Sequence, residues 1–387
     1  MTTKPKIKNS LQPLRIAFVV PHIFIIRDIL PRVIFSPGRL ALAVTKEMTR
    51  QGAEVTLFTP GPTDTTLPNI TADLSYFEQE LAGRGDGYID LLKKHPFTFI
   101  TLSRQVQSEL VAKAYKMADE GKFDIVHIYT NEEDIALPFA EFCEVPVVFT
   151  HHDPFNFSVK YKNVFPKYNY LNWLSMSYAQ RAGMPADTRW VGNVYHGLNL
   201  TEWQPNLHPS GDYVAYLGRI IEPKGVHYAI EAIKKYNETA EKPLQLKIAG
   251  KHYAGHSKDT YWQEQIEPQL GGDIKYVNYI ADHDARRDFL ANAKALIVPS
   301  TFDEPFGMVT IESLACGTPV IGSSKGATPE IIKEGVTGFI VEPENIADAI
   351  AKIDTIDRSA CRADVEERFT LGRMASDHLN VYQSLAS

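Results

Sequence analysis

The sequence predicts two Rossmann-like α/β domains in tandem, and three observations carry that prediction. A chain of 387 residues exceeds the usual size of one hydrophobic core. Short apolar runs alternate with segments of helical period, the pattern of parallel strands covered by helices on both faces. The alternation also stops at Trp203–Asp212, a stretch of turn formers and polar residues, and then begins again.

In the first half, Arg15–Val20 and Glu54–Thr59 read as strands joined by a helix over Leu40–Gln51, whose apolar positions Leu40, Ala43, Val44 and Met48 share one face. Phe97–Leu102, Ile125–Ile128 and Val145–Thr150 are expected as further strands, with helices over Val106–Glu120 and Ile135–Phe142. Pro60–Gly87, rich in Gly, Pro, Asp and Thr, reads as a long connection with a short helix. In the second half, the expected strands are Val214–Leu217, Leu244–Ala249, Ile274–Asn278, Ala295–Pro299 and Pro319–Ser323. Helices are expected over Val226–Tyr236, Tyr261–Leu270, Ala285–Asn292, Met308–Cys316 and Ile346–Asp354. The divisions that follow are a tail over 1–13, a first domain over 14–205, a second over 212–366, and a helix over 370–385 packing back on the first domain.

Composition narrows the function. A net charge of −7 lacks the basic excess of a nucleic-acid binder. Cys143, Cys316 and Cys361 are odd in number and lack metal-ligand spacing, which reads as reduced thiols in the cytoplasm. No apolar run reaches the roughly 18–20 residues of a membrane span. Peripheral membrane docking stays open, although no stretch both basic and apolar stands out.

The most informative passage runs from Ser300 to Ile321, through the end of a buried strand, a loop with Glu304, and a helix from Met308. Pro305 suits the approach to a helix and Gly317 its end. Gly307 lets a ligand approach the backbone amides of Gly307, Met308 and Val309. At the positive end of the helix dipole these favour a diphosphate. Glu304 and Glu312 offer carboxylates to the hydroxyls of a sugar or a ribose. A second passage, Tyr216–His227, places Arg219 and Lys224 beside a turn at Gly218, where fixed cations stabilise a departing diphosphate. Taken alone, that pair reads equally as solvated surface charge. A third, Pro146–Pro154, ends a strand in His151, His152 and Asp153, at the carboxyl rim where open α/β sheets bind ligands. His151 and His127 are assigned structural roles.

The Ser300–Ile321 passage resembles the Glu-x7-Glu element of the family 4 retaining glycosyltransferases, which have the GT-B fold with an interdomain cleft. Leu314–Ile321, Gly326–Glu330 and Gly335–Phe339 fit the same family. The resemblance implies that Glu304 with Phe306, Gly307 and Met308 holds the donor sugar and that Glu312 takes the ribose. Arg219 and Lys224 resemble the family's phosphate clamp, and His152 its cleft histidine facing the sugar. Asp153 is a candidate to hold the His152 ring. Gly38, in the Phe35–Leu40 loop, stands where the family has two glycines. Asn278 stands where it has one, before base contacts near Tyr279 and Ile280.

The implied activity is transfer of a sugar from a UDP- or GDP-linked donor to an acceptor hydroxyl with retention of configuration. The acceptor is a sugar, a small molecule or a lipid-linked group. No cofactor or metal is expected, because Arg219, Lys224 and the helix terminus take the metal's place. A sugar-nucleotide epimerase of the same fold and a non-catalytic nucleotide-sugar binder are the competing readings. The epimerase would need no acceptor, and the binder would neither transfer nor hydrolyse its ligand.

Overall fold

A computed structural model describes residues 12–252 and 259–387. The chain divides into two units: the first comprises 1–176, 181–194 and 372–387, and the second 177–180 and 195–371. The tail expected over 1–13 lies almost wholly outside the described residues.

The first unit holds seven strands: β1 (Arg15–Val19), β2 (Glu54–Thr59), β3 (Asn69–Thr71), β4 (Ile125–Tyr129), β5 (Val147–Thr150), β6 (Asn172–Ser175) and β7 (Trp190–Asn193). They form one sheet in the order β3-β2-β1-β4-β5-β6-β7, with every pairing parallel. Its helices are α1 (Ser36–Arg50), α2 (Ser75–Arg84), α3 (Tyr88–Lys94), α4 (Pro96–Asp119) and α5 (Val159–Val164). All five residues of β4 are buried, as a strand covered on both faces requires.

The second unit repeats the plan with β8 (Tyr213–Leu217), β9 (Gln245–Ala249), β10 (Ile274–Tyr276), β11 (Leu296–Val298), β12 (Val320–Gly322) and β13 (Gly338–Ile340), ordered β10-β9-β8-β11-β12-β13. These too pair in parallel. Its helices are α6 (Val226–Asn237), α7 (His283–Ala291), α8 (Met308–Ala315), α9 (Thr328–Ile331), α10 (Ile346–Lys352) and α11 (Arg358–Arg368). The last helix, α12 (Leu371–Ala386), belongs from Gly372 onward to the first unit. There the Tyr382 hydroxyl meets His127 Nδ1 of β4 at 2.5 Å, while His127 Nε2 meets Thr150 Oγ1 at 2.8 Å.

Several expectations are corrected. Phe97–Leu102 is helical, not a strand, because Pro96 opens α4 and Phe99, Ser103, Val106 and Leu110 bury at helical spacing. Pro60–Gly87 contributes the edge strand β3 besides the helix α2. The helix expected over Ile135–Phe142 is a pair of 3-10 turns, with Pro138 opening the second. Tyr261–Leu270 becomes a π turn over Trp262–Ile266 followed by a 3-10 turn whose Pro268 has no N–H to continue the ladder. The second unit resumes at Tyr195, upstream of the Trp203–Asp212 linker. Leu198 N–H donates to Phe369 O at 2.8 Å, and Leu198 and Trp203 are buried.

Burial sets an acid-sensitive feature in the first unit. Desolvation holds His22 and His378 down to about 4 and His151 down to about 3, and it also lowers His127. The unfolded chain therefore binds protons near pH 6.5 that the folded chain refuses, and stability falls as pH drops from 6.5 toward 4. Each such histidine contributes about 1.4 kcal/mol per pH unit in that window. Burial raises Glu133 and Glu132, which offsets part of the slope. The melting temperature should drop measurably between pH 7 and pH 5; a flat profile would count against this cluster.

Candidate functional site

In the second unit the strand order reverses between β8 and β11. In open α/β sheets, ligands bind outside the carboxyl ends of the strands at such a reversal. The segments leaving those two strands are the passages singled out above, Gly218–Gly225 and Pro299–Gly307.

The fold stitches the two segments together. Thr301 N–H donates to Pro223 O at 2.9 Å. Gly225, at φ +69°, lies so close that a Cβ there would stand 2.2 Å from Pro299 O. This brings Lys224 Nζ to 2.5 Å from Glu304 Oε1, with both side chains largely shielded from solvent. The Lys224 ammonium also lies 5.3 Å from the centre of the Phe302 ring, and Ser300 Oγ donates to Glu304 Oε2 at 3.4 Å. Glu304 is gripped from behind as well. A Cβ on Gly326 would fall 2.3 Å from Glu304 N and 2.4 Å from its O, so only glycine permits the contact. Ala327 N–H donates to Glu304 O at 3.0 Å, and Gly326 N–H donates to Asp303 Oδ1 at 3.1 Å.

Gly307 caps α8 at φ +90°, with Glu304 Cδ 3.7 Å from where its Cβ would be. The amides of Met308 and Val309 follow in the first turn, where no carbonyl four residues back can accept them. The Glu304 carboxylate, the Lys224 ammonium and this helix start are therefore neighbours. Phe306 is buried beneath them, its ring 4.8 Å from that of His196 and 6.0 Å from that of Phe369.

Glu312 lies in the second turn of α8, buried and ion-paired with Arg286 of α7. Nothing in the sequence singled out Arg286, because it belongs to a separate helix. Arg219 is exposed on the turn after β8, and its carbonyl accepts from the Tyr216 hydroxyl at 2.8 Å. Burial raises the Tyr216 phenol, with Tyr261 and the Glu304 carboxylate acting in the same direction and the charge of Arg219 opposing. Tyr216 thus feels both motif residues.

Beyond β10, Asn278 has φ +64°, the only positive φ outside glycine among the described residues. Asparagine tolerates the left-handed region that glycine enters freely. Its carbonyl accepts from Gly250 N–H at 3.1 Å. Tyr279 is exposed, with Lys251 Nζ 4.2 Å from its ring centre, and Ile280 is half-buried.

In the first unit, His152 follows β5. Its N–H donates to Asn131 Oδ1 at 3.1 Å, and its ring lies 4.4 Å from that of Tyr129. Asp153 Oδ2 accepts from Asn131 Nδ2 at 2.8 Å. His151 is fully buried, with Nδ1 3.1 Å from Glu133 Oε2. Gly38 does not lie in a loop: α1 begins at Ser36, so Gly38 occupies the first helical turn, buried against the Phe35 ring. Pro37 just inside the helix start explains the earlier beginning. Among the described residues, no helix is long and apolar enough to cross a membrane.

Two family models match the chain: "Glycosyltransferase Family 4" over residues 37–185 and "Glycosyl transferases group 1" over residues 201–367. The phosphatidyl-myo-inositol mannosyltransferase of Mycobacterium leprae is 23% identical over 369 residues, covering 89% of this chain and 92% of that protein. An uncharacterized glycosyltransferase of Methanocaldococcus jannaschii is 30% identical over 217 residues, 49% of this chain; the match spans only 53% of that relative. Among solved structures, an Anabaena protein in complex with UDP and glucose superposes with a TM-score of 0.66 at 18% identity, covering 96% of this chain and all of that one. Sucrose-phosphate synthase from Thermosynechococcus elongatus gives 0.68 at 19% identity, covering 96% and 99%.

Proposed function

Since this chain belongs to the family 4 glycosyltransferases, we propose that it transfers a sugar from a nucleoside diphosphate sugar to an acceptor hydroxyl, with retention of configuration and without a metal ion. The observation that supports this reading is the Lys224–Glu304 contact beside the start of α8. A cation and a row of amides there suit a diphosphate, and a carboxylate beside them suits the hydroxyls of the attached sugar.

In this reading Arg219, Lys224 and the amides of Gly307, Met308 and Val309 hold the diphosphate. Lys224 keeps one hydrogen for Glu304 and turns others toward phosphate oxygen. Glu304 and the Phe306–Met308 backbone hold the sugar, Glu312 held by Arg286 receives the ribose, and Tyr279 and Ile280 flank the base. His152 donates to or accepts from a sugar hydroxyl. The bond from the anomeric carbon to the leaving phosphate oxygen breaks as the acceptor oxygen bonds to the same face. The acceptor's proton passes to that phosphate oxygen. No protein base is required, so catalysis rests on position and on cations fixed before the charge develops. The free thiols Cys143, Cys316 and Cys361 fit a reducing cytoplasm.

A thermal-shift screen against UDP, GDP, ADP and their sugars, with and without EDTA, tests the reading. UDP comes first because the Anabaena protein was solved with it. A ligand at about 100 times its Kd adds about 2.7 kcal/mol of stability, so one nucleotide should raise the melting temperature, and equally in EDTA. No response to any nucleotide would end the proposal. A new sugar-nucleotide isomer formed without acceptor, seen by NMR, would favour an epimerase instead.

A further inference from the structure

Glu330 ends the Gly326–Glu330 passage, and the proposed transfer gives it no role. Its carboxylate is nonetheless fully engaged. Oε1 accepts from Ala179 N–H at 2.6 Å, and Oε2 accepts from Tyr178 N–H at 2.9 Å and from the Tyr195 hydroxyl at 2.8 Å. Its backbone carbonyl accepts from Arg368 Nη1 at 2.9 Å. The amides it takes belong to Ser177–Gln180, a four-residue excursion that groups with the second unit although the chain on either side groups with the first.

That excursion reaches the donor loop. Ser177 Oγ accepts from Gln180 N–H at 3.0 Å and donates to Pro305 O at 2.6 Å. Pro305 lies between Glu304 and Phe306, the residues to which the transfer reading assigns the sugar. The Tyr195 ring, anchored by its hydroxyl on Glu330, lies 6.1 Å from that of Phe306. Two paths therefore run from one carboxylate to the back of one loop, through Ser177 to Pro305 and through Tyr195 to Phe306.

We propose that Glu330 is a positioning residue for sugar transfer: it touches no substrate and sets the Glu304–Phe306 loop by holding Ser177–Gln180 and Tyr195 against it. The inference rests on the transfer reading. Its chemistry requires a carboxylate, because both oxygens accept from backbone N–H groups. A glutamine would offer one acceptor and turn an NH2 group toward the other donor.

The test compares Glu330→Gln, Glu330→Asp and Ser177→Ala by amide hydrogen exchange and by kinetics. In Glu330→Gln the amides of Tyr178, Ala179 and Ala327, the last held by Glu304 O, should exchange about 10-fold faster, as expected when charge-assisted hydrogen bonds are lost and the loop loosens. Its kcat should fall about 10- to 100-fold through a misplaced loop, while the affinity for nucleoside diphosphate alone stays within about 3-fold. Glu330→Asp should recover part of kcat. Ser177→Ala removes only a hydroxyl and should move exchange and kcat in the same direction by less; it decides the matter if Glu330→Gln does not fold. Wild-type exchange at Ala327, or a parallel loss of kcat, nucleotide affinity and melting temperature, would overturn the proposal. A wild-type protein inert toward every nucleotide sugar would sink the transfer reading, and the exchange data would still decide whether Glu330 holds the loop.

Discussion

Glu304→Ala should lower kcat/KM for transfer about 100-fold or more. Two effects add. The variant loses a charged hydrogen-bond acceptor for the sugar, on the order of 1.5–3 kcal/mol. It also strands Lys224, whose ion-pair partner among the described residues is Glu304 at 2.5 Å and whose side chain is 13% exposed. An ammonium so shielded, with no counter-ion, turns toward another acceptor and leaves the place where it would meet phosphate. The fold should survive, because Ala327 N–H still holds the backbone carbonyl of residue 304. Glu304→Gln keeps shape and loses charge, so an intermediate rate is expected. Steady-state kinetics with a donor found by the thermal screen decide it, and wild-type kcat/KM in Glu304→Ala would refute the assignment.

Lys224→Ala should weaken nucleoside diphosphate binding by about 1.5–3 kcal/mol, the scale of a charged hydrogen bond, which is roughly 10- to 150-fold in Kd. The loss should exceed that of Arg219→Ala, since Arg219 is exposed and solvent screens it more. Calorimetry with the free diphosphate is the cleanest measure, because it involves no acceptor and no chemistry. Equal affinities in wild type and Lys224→Ala would remove the cation from the phosphate site. The contact with Glu304 makes a further demand: the double variant should cost less than the two single losses combined, as neighbours in direct contact do.

The proposed donor half of this site was legible because its parts are close in sequence. Pro305, Gly307 and Gly317 punctuate one strand–loop–helix passage, and Glu304 and Glu312 fall within it. Gly218, Arg219 and Lys224 sit likewise on one turn. The first unit was harder to read. The Phe97–Leu102 run is short, aromatic and apolar, and such a run cannot be told from a buried helix by period alone. Strands β3, β6, β7 and β13, at or next to a sheet edge, are short, three or four residues each, and leave little pattern to detect.

Local pattern therefore carried the alternation of strands and helices, the two-part organisation and the loop to which a diphosphate is assigned, since all of these arise from neighbours along the chain. Contacts between distant segments had to come from the folded molecule. Arg286 reaches Glu312 from another helix, Gly326 reaches Glu304 from the next strand's loop, and Ser177 reaches Pro305 across 128 positions. A side chain's partner across such a distance depends on strand order and helix packing, which no spacing along the sequence encodes.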